Sequence, residues 1–374
     1  MAPEFVEATV TSQRVLILYG GRSSEHQISC LSARSVLDAI DRDRYEVVPV
    51  GITRDGRWVL TDGVIEAAAG QALPEVADTG PTVALVRSRK GPVLVQFEED
   101  GSATDLGHID VAFPVLHGPY GEDGTVQGYL ATVGIPYVGA DVTASSTGID
   151  KRAMKQAFKA RGLPQVPYLP VRRARWDAEP VAMADDIEGA LSYPVFTKPA
   201  RQGSSIGITM AHHREELLAG LEEAFRYDHV VIVEQGLDRP RELEVGALGN
   251  DVVEITPPGE IAPSHEFYDF EAKYLDESEL NVPADVTDDV AARIDTIARQ
   301  AFQAIGCRGM ARVDFFLDAS GDLWLNEINT IPGFTPNSMF PRLWEAQGVS
   351  YPDLVDRLLT LARQAADREA GLAP

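Results

Sequence analysis

Residues 310–329 read MARVDFFLDASGDLWLNEIN, two apolar runs parted by DASGD, and this is the pattern of an antiparallel β-hairpin. With Asp318 set opposite Leu323, the register places Asp314 opposite Glu327 and Arg312 opposite Asn329. Side chains alternate along a strand, so Arg312, Asp314, Glu327 and Asn329 share one face. Val313, Phe315, Leu317, Trp324 and Ile328 line the other, with Asn326 as the one polar residue on that apolar side. Two carboxylates directly opposite each other repel, and a fold needs a reason to keep them so. A hard cation supplies one, because Mg²⁺ takes oxygen ligands, commonly one or two carboxylates plus substrate phosphates. The competing reading is a solvated polar face on an edge hairpin.

Upstream, Lys198 sits in the apolar run YPVFTKPA and is followed by RQGSSIG. Gly203 and Gly207 in that loop allow backbone N–H groups to close over an anion. A strand-end lysine reaching solvent would look the same. Lys151 opens a helical segment, where free N–H groups favour anions. Glu234 ends the run VVIV, where a carboxylate can accept from an amino group such as that of adenine, or can simply be a strand-end charge.

Around these signals the chain reads as alternating strands and helices. RVLILYGG is a strand ending in a glycine turn, and Cys30, Ala33, Leu37 and Ile40 then recur at helical spacing. Strand-like YEVVPVGI and IDVAFPVLHG follow, and the loop HGPYGEDGTVQG leads into a helix-like segment. An α/β domain over residues 1–142 results, with a weakly patterned Ala-, Gly- and Pro-containing insertion near 61–107. A basic amphipathic helix from Ser146 to Arg161 and the strands YPVFTKPA and VVIVEQGL make an α+β middle unit, 143–235. The remainder, 236–374, holds ELEVGALG, a long loop from Ala262 to Asp285, a helix around VAARIDTIARQAFQAIG, the hairpin, and a tail that frays after Ala365.

A formal charge of −24 over 374 residues repels polyanions and argues against nucleic acid or an anionic membrane as partner. Lysines focused in a cleft can still hold a nucleotide. No run approaches the roughly 20 apolar residues of a membrane-spanning helix, and MAPEFVEATVTSQ lacks a basic stretch followed by an apolar core. A cytoplasmic protein is predicted. Cys30 and Cys307 are too few for a disulfide framework and read as reduced, packed thiols.

Taken together, GGRSSEHQIS, LHGPYGEDGTVQG, GIDKRAMK, VFTKPARQGSSIG, FYDFEAKY, GMARVDFF and LNEINTIPGFTPNSM closely resemble the D-alanine:D-alanine ligases of the ATP-grasp superfamily. The segments follow the family's order from about Arg14 to Leu361, and HGPYGEDG and NEINTIPGFTPNSM are specific to it. The resemblance implies a three-domain ATP-grasp architecture with an N-terminal parallel-sheet domain and ATP held between the other two. It assigns Lys151 and Lys198 to the α and β phosphates, Lys273 to the γ phosphate, Glu234 to adenine and Glu242 to the ribose. Extra residues in DRPRELEV, before Glu242, depart from some members. Asp314, Glu327 and Asn329 match the metal ligands, for two Mg²⁺ ions with Mn²⁺ as a substitute. Glu25 matches the residue holding the first D-alanine's ammonium, with Ser204 and Tyr274 in its cluster and His117 beside it. Ser338 matches the serine at the second substrate's carboxylate. Arg312 and the N–H of Gly333 match the oxyanion donors. A homodimer is also implied.

The activity so implied is ATP-dependent joining of two D-alanines through an acyl phosphate, with the segment around 263–284 as a closing lid that keeps water away. Relatives making D-alanyl-D-lactate or D-alanyl-D-serine share the ATP site; Tyr274 favours the dipeptide, and Met339 discriminates less. A dinucleotide-binding oxidoreductase is a rival suggested by RVLILYGG, but Gly20 and Gly21 are adjacent and G-x-G-x-x-G is incomplete. A non-catalytic nucleotide sensor would need a degraded metal or oxyanion site, and here those positions are filled.

Overall fold

The computed structural model describes residues 12–67, 73–262 and 279–371. Lys273, Tyr274 and most of the expected lid lie outside the described residues. The architecture is mixed α/β with three sheets.

Seven strands form the first sheet: β1 (Gln13–Gly20), β2 (Tyr45–Ile52), β3 (Trp58–Leu60), β4 (Thr82–Ser88), β5 (Gly91–Phe97), β6 (Ala103–His108) and β7 (Val111–Pro114), in the order β6-β5-β4-β3-β2-β1-β7. β1 pairs in parallel with β2 and β7, and its alternate residues feed two different cores. Val15, Ile17 and Tyr19 enter one, and Leu16 and Leu18 the other. Burial on both faces is what a continuous apolar run in a parallel strand encodes. Among the described strands the parallel part is β2-β1-β7, with one further parallel bridge from Ala112 to Tyr137. The weakly patterned insertion is β-structured and adds β4, β5 and β6 as an antiparallel meander. At the end of β1 the chain must turn sharply: Gly20 has φ +86°, and a Cβ there would lie 2.5 Å from the Ile52 carbonyl. Only glycine suits such a position.

The second sheet holds β8 (Tyr168–Arg172), β9 (Val195–Pro199), β10 (Thr209–Ala211) and β11 (Val230–Gln235), in the antiparallel order β10-β9-β11-β8. The third holds β12 (Arg241–Gly249), β13 (Val253–Ile255), β14 (Gly259–Ala262), β15 (Glu279–Asn281), β16 (Gly309–Leu317) and β17 (Leu323–Asn329). Its order is β15-β14-β12-β16-β17, with β13 on β12.

The hairpin β16–β17 pairs Asp314 with Glu327 and Arg312 with Asn329, as its pattern predicts. Near the turn the expectation fails. Leu323 faces Leu317, not Asp318, and the register shifts between Asp314 and Phe315. Asn326 is the extra residue of a β-bulge, which changes the alternation partway along β17. Leu323 and Leu325 therefore join Val313, Phe315, Leu317 and Ile328 in the core. Trp324, expected in that core, instead pairs with Phe316 and donates to Asp318 Oδ2 at 2.9 Å.

Two further expectations are corrected. The single helix expected from Ser146 to Arg161 is two, Val142–Ile149 and Lys151–Ala160. Asp150 separates them in an extended conformation and caps the second by accepting from Arg152 and Ala153 N–H groups. The tail does not fray at Ala365, because a helix runs over Tyr351–Ala370. Leu354, Val355, Leu358 and Leu359 bury its inner face in the core that holds Val15 and Ile17. Tyr45 Oη donates to Asp356 Oδ1 at 2.6 Å, tying the C-terminal helix to the first sheet. Among the described residues no helix is long and apolar enough to cross a membrane, and both cysteines are free and buried.

Candidate active site

A cavity of about 140 Å³ opens where the three sheets meet. Loops after β1, β7 and β9 bring Glu25, His117 and Ser204 to its wall. The helix start supplies Lys151, the third sheet supplies Arg312, Glu327 and Asn329, and the loop after β17 supplies Gly333 and Ser338. Nine of the residues expected from the sequence thus converge. Asp314, Lys198, Glu234 and Glu242 stand outside its wall, and Lys273 and Tyr274 are not described.

Glu25 is 5 % exposed and accepts a hydrogen bond from Ser204 Oγ. Glycines let two loops close on it. A Cβ on Gly118, at φ +74°, would lie 2.5 Å from Glu25 Oε2, and one on Gly203 would lie 3.0 Å away. Ser204 and Ser205 hold φ +48° and +57°. Consecutive left-handed non-glycine residues are unusual, and such conformations cost about 1–3 kcal/mol each. They aim the Ser204 hydroxyl at the carboxylate.

His117 is buried between Ser32 Oγ, 3.0 Å from Nε2, and the Ile331 carbonyl, 3.1 Å from Nδ1. A carbonyl only accepts, so Nδ1 carries the proton and Nε2 accepts from Ser32. Burial pushes its pKa below the ordinary value, with Glu25 opposing, which suits a neutral ring. Glu122, which the sequence reading did not single out although HGPYGEDG contains it, also lines the cavity and accepts from Gly118 N–H at 2.8 Å. Desolvation, then Glu25, pushes its carboxyl well above the usual range.

That gives a pH prediction. The unfolded chain releases the Glu122 proton near the ordinary glutamate value of 4.5 and the ligand-free fold holds it longer, so Glu122 costs stability as pH rises above about 4.5. Glu122→Gln keeps the acceptor and removes the ionisation. It should raise the melting temperature of the free protein more at pH 8 than at pH 4. A difference that does not grow between those two pH values refutes this.

On the third sheet Arg312 is 6 % exposed. Its Nε and Nη2 reach the two oxygens of Asp314 at 2.8 and 2.7 Å, and Nε lies 3.0 Å from Glu244 Oε2. Glu244, also missed from sequence, pairs directly with Asp314 across β12 and β16. Its signal was the spacing ELE, which puts Glu242 and Glu244 on one face of β12. Glu327 stands opposite Asp314, with Lys151 Nζ 3.9 Å from its Oε2. Asn329 Oδ1 accepts from Ile331 N–H at 3.1 Å.

This face carries four carboxylates, Glu242, Glu244, Asp314 and Glu327, against one guanidinium and offers only oxygen donors, so its chemistry fits a hard divalent cation. Among the described residues no three His, Cys, Asp or Glu side chains converge on one ion position. Asp314, Glu327 and Asn329 carry two carboxylates and an amide on this face, a donor set with which Mg²⁺ is compatible when phosphate and water complete its shell.

Behind the cavity, Glu234 accepts from Lys198 Nζ at 2.5 Å and forms an ion pair with Lys155, whose Nζ lies 2.8 Å from Oε1. Burial alone would raise the Glu234 carboxyl, but the two ammoniums outweigh it and hold the group at about 2. Lys155 was not singled out from sequence; its signal is that it falls four residues after Lys151. Glu242 sits half-buried on β12, opposite Ile261 and Phe316.

One cavity thus gathers a buried carboxylate, a lysine, a buried guanidinium and an oxygen-donor face from three sheets, an arrangement suited to a small charged substrate. The families described as D-ala D-ala ligase N-terminus and D-ala D-ala ligase C-terminus match residues 14–140 and 157–360. A D-alanine–D-alanine ligase of Streptomyces griseus is 47% identical, over 99% of this chain and 96% of its own. The D-alanine–D-alanine ligase structure from Coxiella burnetii superposes with TM-score 0.81 at 30% identity, covering 96% of each chain. The D-Ala:D-Ser ligase VanG of Enterococcus faecalis gives 0.80 at 33%, covering 94% of this chain and 100% of the other. The chain belongs to the D-alanine–D-alanine ligase family of the ATP-grasp superfamily.

Proposed function

We propose that this chain joins two D-alanines to D-alanyl-D-alanine, with conversion of ATP to ADP and phosphate, for the cell wall. The observation that carries this reading is one cavity lined by a buried carboxylate, Glu25 with Ser204, and by Arg312 and Glu327. Residues 1–142, 143–235 and 236–374 act as three domains, with ATP between the last two, and the enzyme works as a cytoplasmic homodimer.

Glu25 holds the first substrate's ammonium, and His117 borders it. A carboxylate resists attack because its charge repels a nucleophile and oxide is a poor leaving group. Transfer of the γ-phosphoryl to its oxygen removes both obstacles and releases ADP. Lys151 and Lys198 take the α and β phosphates and Lys273 the γ, Glu234 faces adenine and Glu242 the ribose; their work is positioning and charge compensation. Asp314, Glu327 and Asn329 would hold two Mg²⁺ ions, or Mn²⁺ in their place, which when bound offset phosphate charge. The second D-alanine, its carboxylate on Ser338, attacks with its free amine. The carbon–nitrogen bond forms, phosphate leaves with the carbonyl–oxygen bond's electrons, and the amine loses a proton. Charge collects on the carbonyl oxygen in that step, where Arg312 and the Gly333 N–H are donors. Tyr274, expected in the Glu25 cluster, and most of the expected water-excluding lid lie outside the described residues.

Supplying ATP, Mg²⁺ and D-alanine, with or without D-lactate or D-serine, tests this by the mass of the product. D-alanyl-D-alanine is expected in every mixture. ADP formed without a joined product, or a mixed product preferred at equal concentrations, overturns the substrate assignment.

A further inference from the structure

We infer that Lys155 is a positioning residue that neutralises Glu234 and so frees Lys198 to leave that carboxylate for the nucleotide's phosphates. The inference rests on the nucleotide site proposed above and deepens it.

Helix Lys151–Ala160 places two ammoniums one turn apart, Lys151 at its start and Lys155 on its inner face. Lys151 lines the cavity and donates to the Gln202 carbonyl at 2.8 Å. The Lys155 side chain is wholly buried, with its Nζ 2.8 Å from Glu234 Oε1 and 5.3 Å from the Tyr168 ring centre. Held there, it presents no exposed surface to a ligand. Lys198 takes the other oxygen, Oε2, at 2.5 Å, and its side chain keeps 12 % exposure. One carboxylate thus has two cations, a fixed inner one and a more accessible outer one.

Both cations are not needed to balance Glu234. Were Lys198 its sole direct counter-ion, withdrawing that ammonium would leave a buried carboxylate uncompensated, which is strongly unfavourable. A phosphate would then compete with Glu234 for Lys198 at a loss. With Lys155 in place the carboxylate stays compensated after Lys198 moves, and the cluster presents a net positive charge to an arriving anion. Glu327 and Glu242 act on Lys198 as well, through space, and they do not replace the direct contact from Lys155.

The test compares ADP with adenosine, which shares the base and ribose and lacks phosphates, by calorimetric titration of the whole protein in chelator-treated buffer. Lys155→Met should weaken ADP by about tenfold or more and adenosine by less than about threefold, since only the phosphate contact is withheld. Adding Glu234→Gln to Lys155→Met should bring the ADP-to-adenosine ratio back toward that of the unaltered protein, because the trap for Lys198 is gone. A purely structural ion pair predicts equal weakening of both ligands and no recovery, and that result overturns the inference. So does an unchanged ratio in Lys155→Met. Should that variant fail to fold, Lys155→Gln, which keeps a donor to Glu234 without the charge, is read the same way. Lys198→Met serves as the control. If it leaves the ratio unchanged, the assignment of Lys198 to phosphate falls, whereas loss of phosphate affinity in Lys198→Met but not at Lys155 refutes the present inference alone.

Discussion

Arg312→Ala is expected to lower turnover by about 10²–10³, the cost of losing one oxyanion donor, and to destabilise the fold as well. A donor role alone predicts a normally stable protein that binds ATP and turns over slowly. The geometry adds the second effect. Arg312 lies between Glu244 and Asp314, which face each other on β12 and β16, with side chains only 6 % and 10 % exposed. Removing the guanidinium leaves two buried carboxylates opposed, and breaking a buried pair in this way costs about 3–5 kcal/mol. Arg312→Lys separates the contributions. It restores a positive charge between the carboxylates but cannot fork to both Asp314 oxygens while serving as a planar donor. Its stability should recover further than its turnover. Single-turnover product formation at saturating ATP, beside urea unfolding of the same samples, makes the comparison. A folded Arg312→Ala protein with near-normal turnover removes Arg312 from the chemistry.

The carboxylate face was legible from sequence because it follows from period-two alternation and one turn, both local. The bulge at Asn326 was not, since nothing in DLWLNEIN marks which strand carries an unpaired residue. Trp324 was misplaced for that reason, being two residues on the turn side of the shift. Glu244 and Lys155 escaped notice because a charge inside an amphipathic segment looks solvated until its partner is known. Their partners, Arg312 and Glu234, come from other strands and are set by tertiary packing. The loops bearing Glu25, His117 and Ser204 carry little periodicity. Resemblance to a family, not physical patterning, singled them out, and the structure shows the reason they meet: glycines at 118 and 203 permit backbone to approach the Glu25 carboxylate. The insertion near 61–107 defeated pattern reading because its meander mixes buried, half-buried and exposed positions with little sustained alternation, and β6 shows no buried position.

Glu25→Gln should give the second large effect, a rise in the apparent KM for D-alanine with a folded state no less stable than before. The substitution is nearly isosteric, and the amide oxygen can still accept from Ser204 Oγ. What changes is the charge offered to the substrate's ammonium. In a pocket this closed, losing the charged half of such a contact costs about 2–5 kcal/mol, or roughly 30-fold to several-thousand-fold in affinity. Stability moves the other way. Glu25 is one of the charges that push the Glu122 carboxyl up, so neutralising it lets Glu122 ionise in the fold at lower cost. Initial rates over a range of D-alanine concentrations, alongside thermal melts at pH 8, read both quantities. An ordinary structural carboxylate would show the reverse pattern, with a lower melting temperature and an unchanged KM, because its loss would be felt by the loops that close on it and not by the substrate.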